Sequence, residues 1–180
     1  MNPADPLFDL TGKVAAITGG GGVICGAFAR ELGARGVKVA VLDRAVANAQ
    51  NVVDQINAAG GTALAVACDV LDLASIRAAA DTIIGAFGRI DILINGAGGN
   101  KKEATTGPEM SFFDIPADAR RFVIDLNLLG SVLPSQVFGK IMAEQKDGVI
   151  LNISSMNSFR PLTKIIGYST AKAAINNFTQ

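Results

Sequence analysis

The sequence of 180 residues contains no histidine, no tryptophan and only two cysteines, and these absences exclude several kinds of site. Two cysteines without a histidine cannot supply the ligands of an ordinary zinc site, and a disulfide scaffold needs more cysteines than two. Cys25 and Cys68 are surrounded by apolar residues in the sequence. We therefore expect both to be small buried hydrophobic side chains, and we expect no metal.

Charge of one sign is also lacking, because 16 lysines and arginines balance 16 aspartates and glutamates. A nucleic-acid-binding protein needs a basic surface, so no nucleic-acid partner is expected. No apolar run approaches the roughly 18 residues that a membrane-spanning helix requires. The first residues lack the basic start and apolar stretch of a secretory signal. These features predict a cytoplasmic protein without a membrane partner.

Hydrophobic residues make up 49% of the chain, which is enough for the buried core of a single domain over residues 1–180. Short runs rich in Val, Ile, Leu and Ala alternate with longer segments of helical period, a pattern typical of parallel strands buried on both faces. The predicted strands are 13–18, 38–43, 62–69, 91–95 and 148–154, and the predicted crossover helices are 26–35, 45–59, 73–87 and 117–145.

This alternation predicts an α/β fold, a Rossmann-type doubly wound parallel sheet in three α/β/α layers. Ligands of such sheets bind beyond the carboxyl ends of the strands, and glycine, hydroxyl, amide and carboxylate residues gather at those ends here. The segment 98–116 breaks the rhythm, and a loop of that length in a compact domain is usually functional or mobile. We expect it to form a wall of a substrate site rather than a disordered segment.

A run of four glycines follows Thr18 at the end of the first predicted strand. Glycines at this place let the backbone approach a pyrophosphate, and the N-terminus of the following helix favours its negative charge. A turn between a strand and a helix needs a glycine in any case, and the run does not match G-x-G-x-x-G. The run indicates a nucleotide site but does not establish one alone.

Acidic and amide residues end the next three strands. Asp43, 24 residues after Gly19, could bind the adenosine ribose and repel a 2′-phosphate, or it could cap the following helix. Arg44 could instead meet a phosphate, so the residues favour NAD and leave NADP open. Asp69 could receive the adenine amino group or serve as a cap. The Asn95 amide could tie strand ends together.

Tyr168 is the only tyrosine in the chain, and Lys172 follows it by four residues, which places both on one face of a helix. A nearby cation favours the phenolate, so the pair could act as a general acid and base on an alcohol or carbonyl. Most Y-x-x-x-K sequences are solvated helix faces. The catalytic interpretation is favoured by Ser155, thirteen residues earlier, whose hydroxyl could hold the substrate oxygen.

Taken together, these motifs resemble the short-chain dehydrogenase/reductase family throughout the chain. Residues 18–25 are similar to T-G-x-x-x-G-x-G, residues 95–98 are similar to N-N-A-G, and Asn127 falls at the place of the active-site asparagine. The resemblance implies a nicotinamide cofactor, NAD or NADP, and hydride transfer to or from a small-molecule substrate. It also implies a homo-oligomer, a dimer or tetramer, formed through the helix at 117–145 and the Tyr–Lys helix.

The resemblance assigns a role to each matching position. Tyr168 would transfer the proton, and Lys172 would bind the nicotinamide ribose and tune Tyr168. Ser155 would orient the substrate carbonyl, and Asn127 would hold a water between Lys172 and solvent. The cofactor-contacting residues that it implies are Thr18, Gly19, Gly21, Gly22, Val23, Ile24, Asp43, Arg44, Asp69, Val70, Asn95, Gly96, Ala97, Tyr168 and Lys172.

The sequence departs from the family pattern in two ways. Val23 and Cys25 occupy the places of the second and third motif glycines, and the third normally allows close packing of helix against strand. We therefore expect Cys25 to shift the first helix or to reduce NAD affinity. The family also continues beyond the place of Gln180 with two more strands. The expectation is a C-terminally incomplete domain without those strands, and a polypeptide with little or no activity.

Residues 93–100, 111–114, 126–136 and 154–164 more closely resemble the D-mannonate oxidoreductase (fructuronate reductase) branch, which implies a sugar-acid ketone reduced to a secondary alcohol. Cations in predicted loops could pair with its carboxylate, although each is also explained as solvated charge. Two alternatives stay open: an NADP-dependent reductase of another carbonyl, and a catalytically inactive nucleotide-binding fragment. The side chains considered for the sugar acid are Lys101, Lys102, Arg160 and Lys164 for the carboxylate, and Asn100 and Asn157 for hydroxyls.

Overall fold

A computed structural model describes residues 9–180, which form one five-stranded parallel sheet in the order β3-β2-β1-β4-β5. Residues 1–8, where no secretory signal was predicted, lie outside the described part. The strands are β1 (Val14–Thr18), β2 (Lys38–Asp43), β3 (Thr62–Ala67), β4 (Ile92–Asn95) and β5 (Val149–Asn152). The helices are α1 (Val23–Ala34), α2 (Val46–Ala58), α3 (Leu73–Phe87), α4 (Ala117–Gln145) and α5 (Ile166–Phe178).

Helices cover both faces of the sheet, which confirms the predicted Rossmann-type three-layer architecture. Successive residues of a strand point to opposite faces, so Ala15 and Ile17 pack with α1 and α2 in one core cluster. Val14 and Ala16 join the other cluster, which contains Phe138 of α4 and residues of α3. Burial on both faces explains why the three central strands, β2, β1 and β4, are continuous apolar runs in the sequence rather than alternating ones.

A glycine follows each of the first three helices. Gly36, Gly60 and Gly88 follow α1, α2 and α3 with φ of +79°, +84° and +81°, a left-handed conformation that glycine adopts without steric cost. The predicted start of α1 at residue 26 was wrong, because the helix begins at Val23. Its first turn is exposed, and the buried side of the helix begins only at Cys25.

Helix α4 spans 29 residues and is long and apolar enough, by length and composition alone, to cross a membrane. This is weak evidence, since the core helix of a soluble protein meets the same criterion. In this fold α4 packs against α3, α5 and the sheet. Val123, Phe138 and Met142 are buried there, so the apolar residues of α4 help to form the core.

The segment between β4 and α4 contains two short 3₁₀ turns, at Lys102–Ala104 and Phe112–Asp114. Its middle is tied to the segment that precedes α5, because the Thr106 N–H donates to the Lys164 carbonyl at 2.9 Å. The two segments that follow β4 and β5 are thereby joined beyond the carboxyl end of the sheet, where ligands of such folds bind.

Asp91, just before β4, accepts a hydrogen bond from the Val14 N–H at 2.8 Å and has a buried side chain. In Asp91→Ala this buried donor has no acceptor, so we expect the free energy of unfolding to fall by about 2 kcal/mol. Urea denaturation measures the loss. Asp91 also pairs with Lys13 and Arg89, and both cations pair with Asp147 as well. Asp147→Ala removes the exposed carboxylate of this ionic cluster and should cost less than about 0.5 kcal/mol. Equal losses would contradict the assignment to the Val14 hydrogen bond.

Candidate active site

The four predicted catalytic residues come from three segments at the carboxyl ends of β4 and β5. Asn127 lies within α4, Ser155 follows β5 by three residues, and Tyr168 and Lys172 lie on α5. The Lys172 Nζ is 5.8 Å from the centre of the Tyr168 ring. The ring packs beside a small buried cluster of α4 and loop residues, Ala104, Ala119 and Val123.

Lys172 is almost fully buried, with 4% of its surface exposed. Its Nζ donates to the backbone carbonyl of Ile153, just beyond β5, at 2.6 Å. Burial lowers the pKa of Lys172 from the usual 10.5, because the ammonium loses hydration that one carbonyl only partly replaces. A buried cation at a fixed place beside Tyr168 can stabilise the phenolate when the tyrosine gives up its proton.

Asn127 is completely buried, and its side chain holds the backbone at the start of the 98–116 loop. Its Nδ2 donates to the carbonyls of Gly99 at 2.6 Å and Val123 at 2.8 Å, and its Oδ1 accepts from the Gly99 N–H at 3.0 Å. A Cβ at Gly98 would lie 2.7 Å from the Asn127 Oδ1 and 3.6 Å from the Lys172 Nζ. The side chains of Asn127 and Lys172 therefore both lie close to Gly98. The water-holding role of Asn127 stays a prediction.

Ser155 has an extended backbone, and its Oγ accepts the N–H of Asn157 at 3.2 Å. A hydroxyl has one proton to donate, and the Ser155 proton has no acceptor within residues 9–180. Ser155 is half-buried, so the proton remains available to a substrate oxygen. The role of Ser155 in orienting a substrate carbonyl stays a prediction.

In the turn between β1 and α1, the backbone lies in close contact with the backbone of residues 96 and 97, which follow β4. The buried Thr18 Oγ1 accepts the N–H groups of Gly96 at 3.0 Å and Ala97 at 3.2 Å, which joins the ends of β1 and β4. Gly19 has φ of +63°, and a Cβ there would lie 2.9 Å from the Ala97 Cα. Only glycine fits at residue 19 for both reasons.

The alternative of Asp43 as the N-cap of α2 is wrong, because Ala45 is the N-cap and no side chain caps that helix, and the ribose-binding role of Asp43 stays a prediction. Its Oδ2 accepts the Gly21 N–H at 3.1 Å and its Oδ1 accepts the Ala45 N–H at 2.9 Å, so one carboxylate braces the glycine turn and the start of α2. Asp69 bonds the Leu71 N–H at 2.9 Å. The alternative of Asp69 as the cap of α3 is wrong, because Asp72 is the N-cap and accepts the Ala74 N–H.

A cavity of about 210 Å³ opens beside the glycine turn. Asp43 and Asp69 line it together with Arg44, the buried Val70 and Ala97, so the structure brings these predicted cofactor residues together. The predicted cofactor residues did not include five that line it, of which Cys68, Leu71 and Gly98 adjoin predicted positions in the sequence and Phe122 and Leu126 do not. Phe122 and Leu126 belong to α4, and no local motif marks them, because only the packing of α4 brings them beside the ends of β1 and β3.

The first turn of α1 fits an anionic group. Gly22 is the N-cap, no side chain caps the helix, and its first turn contains no acidic residue. Val23 and Ile24 are 90% and 64% exposed, which leaves their apolar side chains open to a ligand. Together with the cavity that Asp43 lines beside the glycine turn, these residues fit a dinucleotide whose pyrophosphate lies at the helix N-terminus.

Asn95 lies between three elements, as its sequence position suggested. Its Nδ2 donates to the Asn152 Oδ1 on β5 at 2.8 Å and to the Ser135 Oγ on α4 at 2.9 Å. The next residue, Gly96, contacts Cys25 of α1. A methyl group at residue 96 would overlap the Cys25 sulfur, so the missing side chain of Gly96 provides the space in which that sulfur lies.

The sequence model of the family described as short chain dehydrogenase matches residues 13–180. The chain therefore belongs to the short-chain dehydrogenase family, which uses NAD or NADP and to which the fold and the Ser–Tyr–Lys arrangement also point.

Among its relatives is an uncharacterized oxidoreductase, UxuB, of Bacillus subtilis, 50% identical over 97% of this chain and 66% of its own length. A solved structure of a proposed D-mannonate oxidoreductase from Haemophilus influenzae, with bound NAD, superposes with a TM-score of 0.91. It is 45% identical, over 95% of this chain and 65% of that one. D-threitol dehydrogenase of Mycolicibacterium smegmatis is 34% identical over 93% of this chain and 62% of its own length. The chain thus spans about two thirds of the length of these relatives.

Proposed function

We propose that this chain contains the NAD-binding and catalytic residues of an oxidoreductase that interconverts a sugar-acid ketone and its secondary alcohol, of the D-fructuronate and D-mannonate type. One observation supports the reaction type above all others. The buried Lys172 ammonium lies beside Tyr168 and is hydrogen-bonded to the segment that carries Ser155. This is the arrangement that proton transfer at a carbonyl or alcohol oxygen requires.

Each residue of the site has a chemical task in this proposal. Ser155 donates its hydroxyl proton in a hydrogen bond to the substrate oxygen and so fixes its position. Tyr168 gives a proton to that oxygen during reduction and removes it during oxidation. Lys172 stabilises the phenolate that remains after the proton has left. When bound, NAD would supply or accept the hydride at the substrate carbon.

The preference for NAD over NADP rests on Asp43. Its carboxylate lines the cavity at the glycine turn, and a negative charge there repels a 2′-phosphate. Arg44 lines the same cavity and is exposed, which is the observation that favours the NADP alternative.

Asp43→Asn removes the charge and keeps an oxygen that can accept the Gly21 N–H. We expect the ratio of kcat/KM with NAD to kcat/KM with NADP to fall about tenfold, because one lost charged hydrogen bond corresponds to roughly that factor. Arg44→Ala is the matched control and should leave the NAD value unchanged. A wild-type protein that prefers NADP, and loses that preference in Arg44→Ala, would contradict the assignment.

The sugar-acid substrate is supported by similarity and by charge. The Haemophilus protein with 45% identity is a proposed D-mannonate oxidoreductase. Lys101 and Lys102 lie in the loop after β4, and Lys164 lies in the segment hydrogen-bonded to that loop through Thr106. Cations in these two segments can pair with a substrate carboxylate.

A substrate panel tests the proposal. The full-length enzyme is assayed with D-fructuronate and NADH, with D-mannonate and NAD, and with neutral polyols such as D-threitol and xylitol. We expect turnover of the two sugar acids and much weaker turnover of the polyols, because these lack a carboxylate. Turnover of a steroid or an acyl thioester without turnover of hexuronates would end the sugar-acid proposal. Binding of NAD without any turnover would favour the inactive nucleotide-binding alternative.

A further inference from the structure

A ring of hydrogen bonds joins the segment after β5 to the last turns of α5. The Ser154 Oγ donates to the Asn176 Oδ1 at 2.5 Å, and the Asn176 Nδ2 donates to the Ser158 Oγ at 2.8 Å. The Ser158 Oγ then donates to the backbone carbonyl of Ser155 at 2.5 Å. Because Ser154 and Ser155 are joined by a peptide bond, these contacts form a closed ring around the start of the segment.

The hydrogen bonds of the ring need a side chain at residue 176 that both accepts and donates, as an amide does. Ser158 has one hydroxyl proton and donates it to Ser155, so it can only accept from Asn176. This fixes the orientation of the amide, whose oxygen must then face the Ser154 hydroxyl. An aspartate would have the same size and could accept from Ser154, but its carboxylate could not donate to Ser158.

The ring contains the backbone of Ser155, whose hydroxyl faces the substrate in the proposed function. Asn176 follows Lys172 by four residues, so both lie on the same face of α5. Lys172 holds the Ile153 carbonyl, and Asn176 holds Ser154 and Ser158. Side chains from one face of α5 therefore hydrogen-bond to the segment both before and after Ser155.

We propose that Asn176 is a positioning residue that sets the place of Ser155 relative to Tyr168. The inference rests on the proposed oxidoreductase function, because it acts through Ser155. Tyr168 lies on α5, so a helix that also fixes the serine fixes the distance between the two groups that must reach one substrate oxygen. An error of about 1 Å in such a distance can cost up to about 100-fold in rate.

The first test compares Asn176→Asp with Asn177→Asp. The second change has the same chemistry at the next residue, whose side chain is exposed. We expect kcat for the sugar acid to fall at least about tenfold in Asn176→Asp, with the KM for the nicotinamide cofactor unchanged. Asn177→Asp should keep the wild-type kcat. A wild-type kcat in both variants would overturn the proposal.

A double-mutant cycle separates positioning from a general structural role. In the Ser155→Ala background the serine hydroxyl is gone, so Asn176→Asp should cause no further loss of kcat. Ser158→Ala breaks the next bond of the ring and should show the same dependence on Ser155. A residue with only a structural role lowers activity by the same factor in both backgrounds, and that result would overturn the proposal.

Crystal structures of Asn176→Asp and Asn177→Asp give a readout that does not depend on turnover. We expect residues 154–158 to move in the first and to keep their place in the second. An unmoved Ser155 in Asn176→Asp contradicts the proposal whatever the enzyme does. Failure of the proposed function is seen separately, as equal turnover of wild type and Tyr168→Phe.

Discussion

Replacing Tyr168 by phenylalanine should lower kcat for the ketone–alcohol reaction by a factor of about 10² to 10⁴, the usual contribution of a general acid or base. The variant removes only the phenol oxygen. The ring that packs beside Ala119 and Val123 is kept, so the free energy of unfolding should stay close to that of the wild type. Steady-state kinetics with D-fructuronate and NADH measure the loss.

We expect the loss in the chemical step, because phenylalanine has no proton to transfer to the substrate oxygen in place of the Tyr168 phenol. NAD affinity, measured by calorimetry, should be nearly unchanged, since the substitution removes one phenol oxygen and leaves every residue that lines the cavity at the glycine turn in place. Thr170→Ala is the matched control, because Thr170 is an exposed residue on the same helix. Retention of more than about a tenth of wild-type kcat in Tyr168→Phe would remove Tyr168 from its assigned role.

The sequence predicted the sheet well because its three central strands, β2, β1 and β4, are largely buried on both faces and a glycine follows each of the first three helices. β1 is buried along its whole length, and such a strand consists almost entirely of apolar residues. A continuous apolar run of this kind is visible in the sequence without knowledge of distant contacts. The place of Lys172 beside Tyr168 was also predictable, since it follows from four residues of helix. Both features depend on short stretches of chain.

What could not be predicted depends on contacts between distant segments. Asn127 bonds Gly99, 28 residues away, and Lys172 bonds Ile153, 19 residues away. Asn176 and its neighbour Asn177 are the same residue type, yet only Asn176 meets the segment after β5. No periodicity separates such neighbours, because the difference arises when α5 packs against the sheet. The start of α1 was missed for a related reason, since the apolar side chains of Val23 and Ile24 in its first turn are exposed and take no part in the buried face of the helix.

Gly96→Ala should lower the free energy of unfolding by about 3 kcal/mol, the upper part of the range for overpacking in a dense core. Its methyl group would overlap the sulfur of Cys25, which is buried between α1 and the sheet. The backbone at residue 96 does not have a positive φ, so strain of the main chain adds nothing to this cost. Urea denaturation measures the change.

The same variant should weaken NAD binding. Ala97 lies against Gly19, where a Cβ would be only 2.9 Å from the Ala97 Cα, so displacement of residue 96 reaches the glycine turn directly. We expect NAD affinity, measured by calorimetry on the folded fraction, to fall about tenfold, which corresponds to about 1.4 kcal/mol. Gly85→Ala is the matched control, because a Cβ at that residue meets no atom within 4 Å.

Cys25→Ala should rescue much of the loss in the double variant. Without the sulfur, the nearest atom of residue 25 to a Cβ at residue 96 is its own Cβ, at 3.6 Å, which is ordinary van der Waals contact. The Thr18 carbonyl oxygen, at 3.1 Å, remains close, so rescue should be incomplete. A double variant no more stable than Gly96→Ala would assign the cost to Thr18 instead. Rescue would show that Cys25 and Gly96, the two departures from the family motifs at this contact, compensate each other in volume, and that Cys25 by itself need not displace α1.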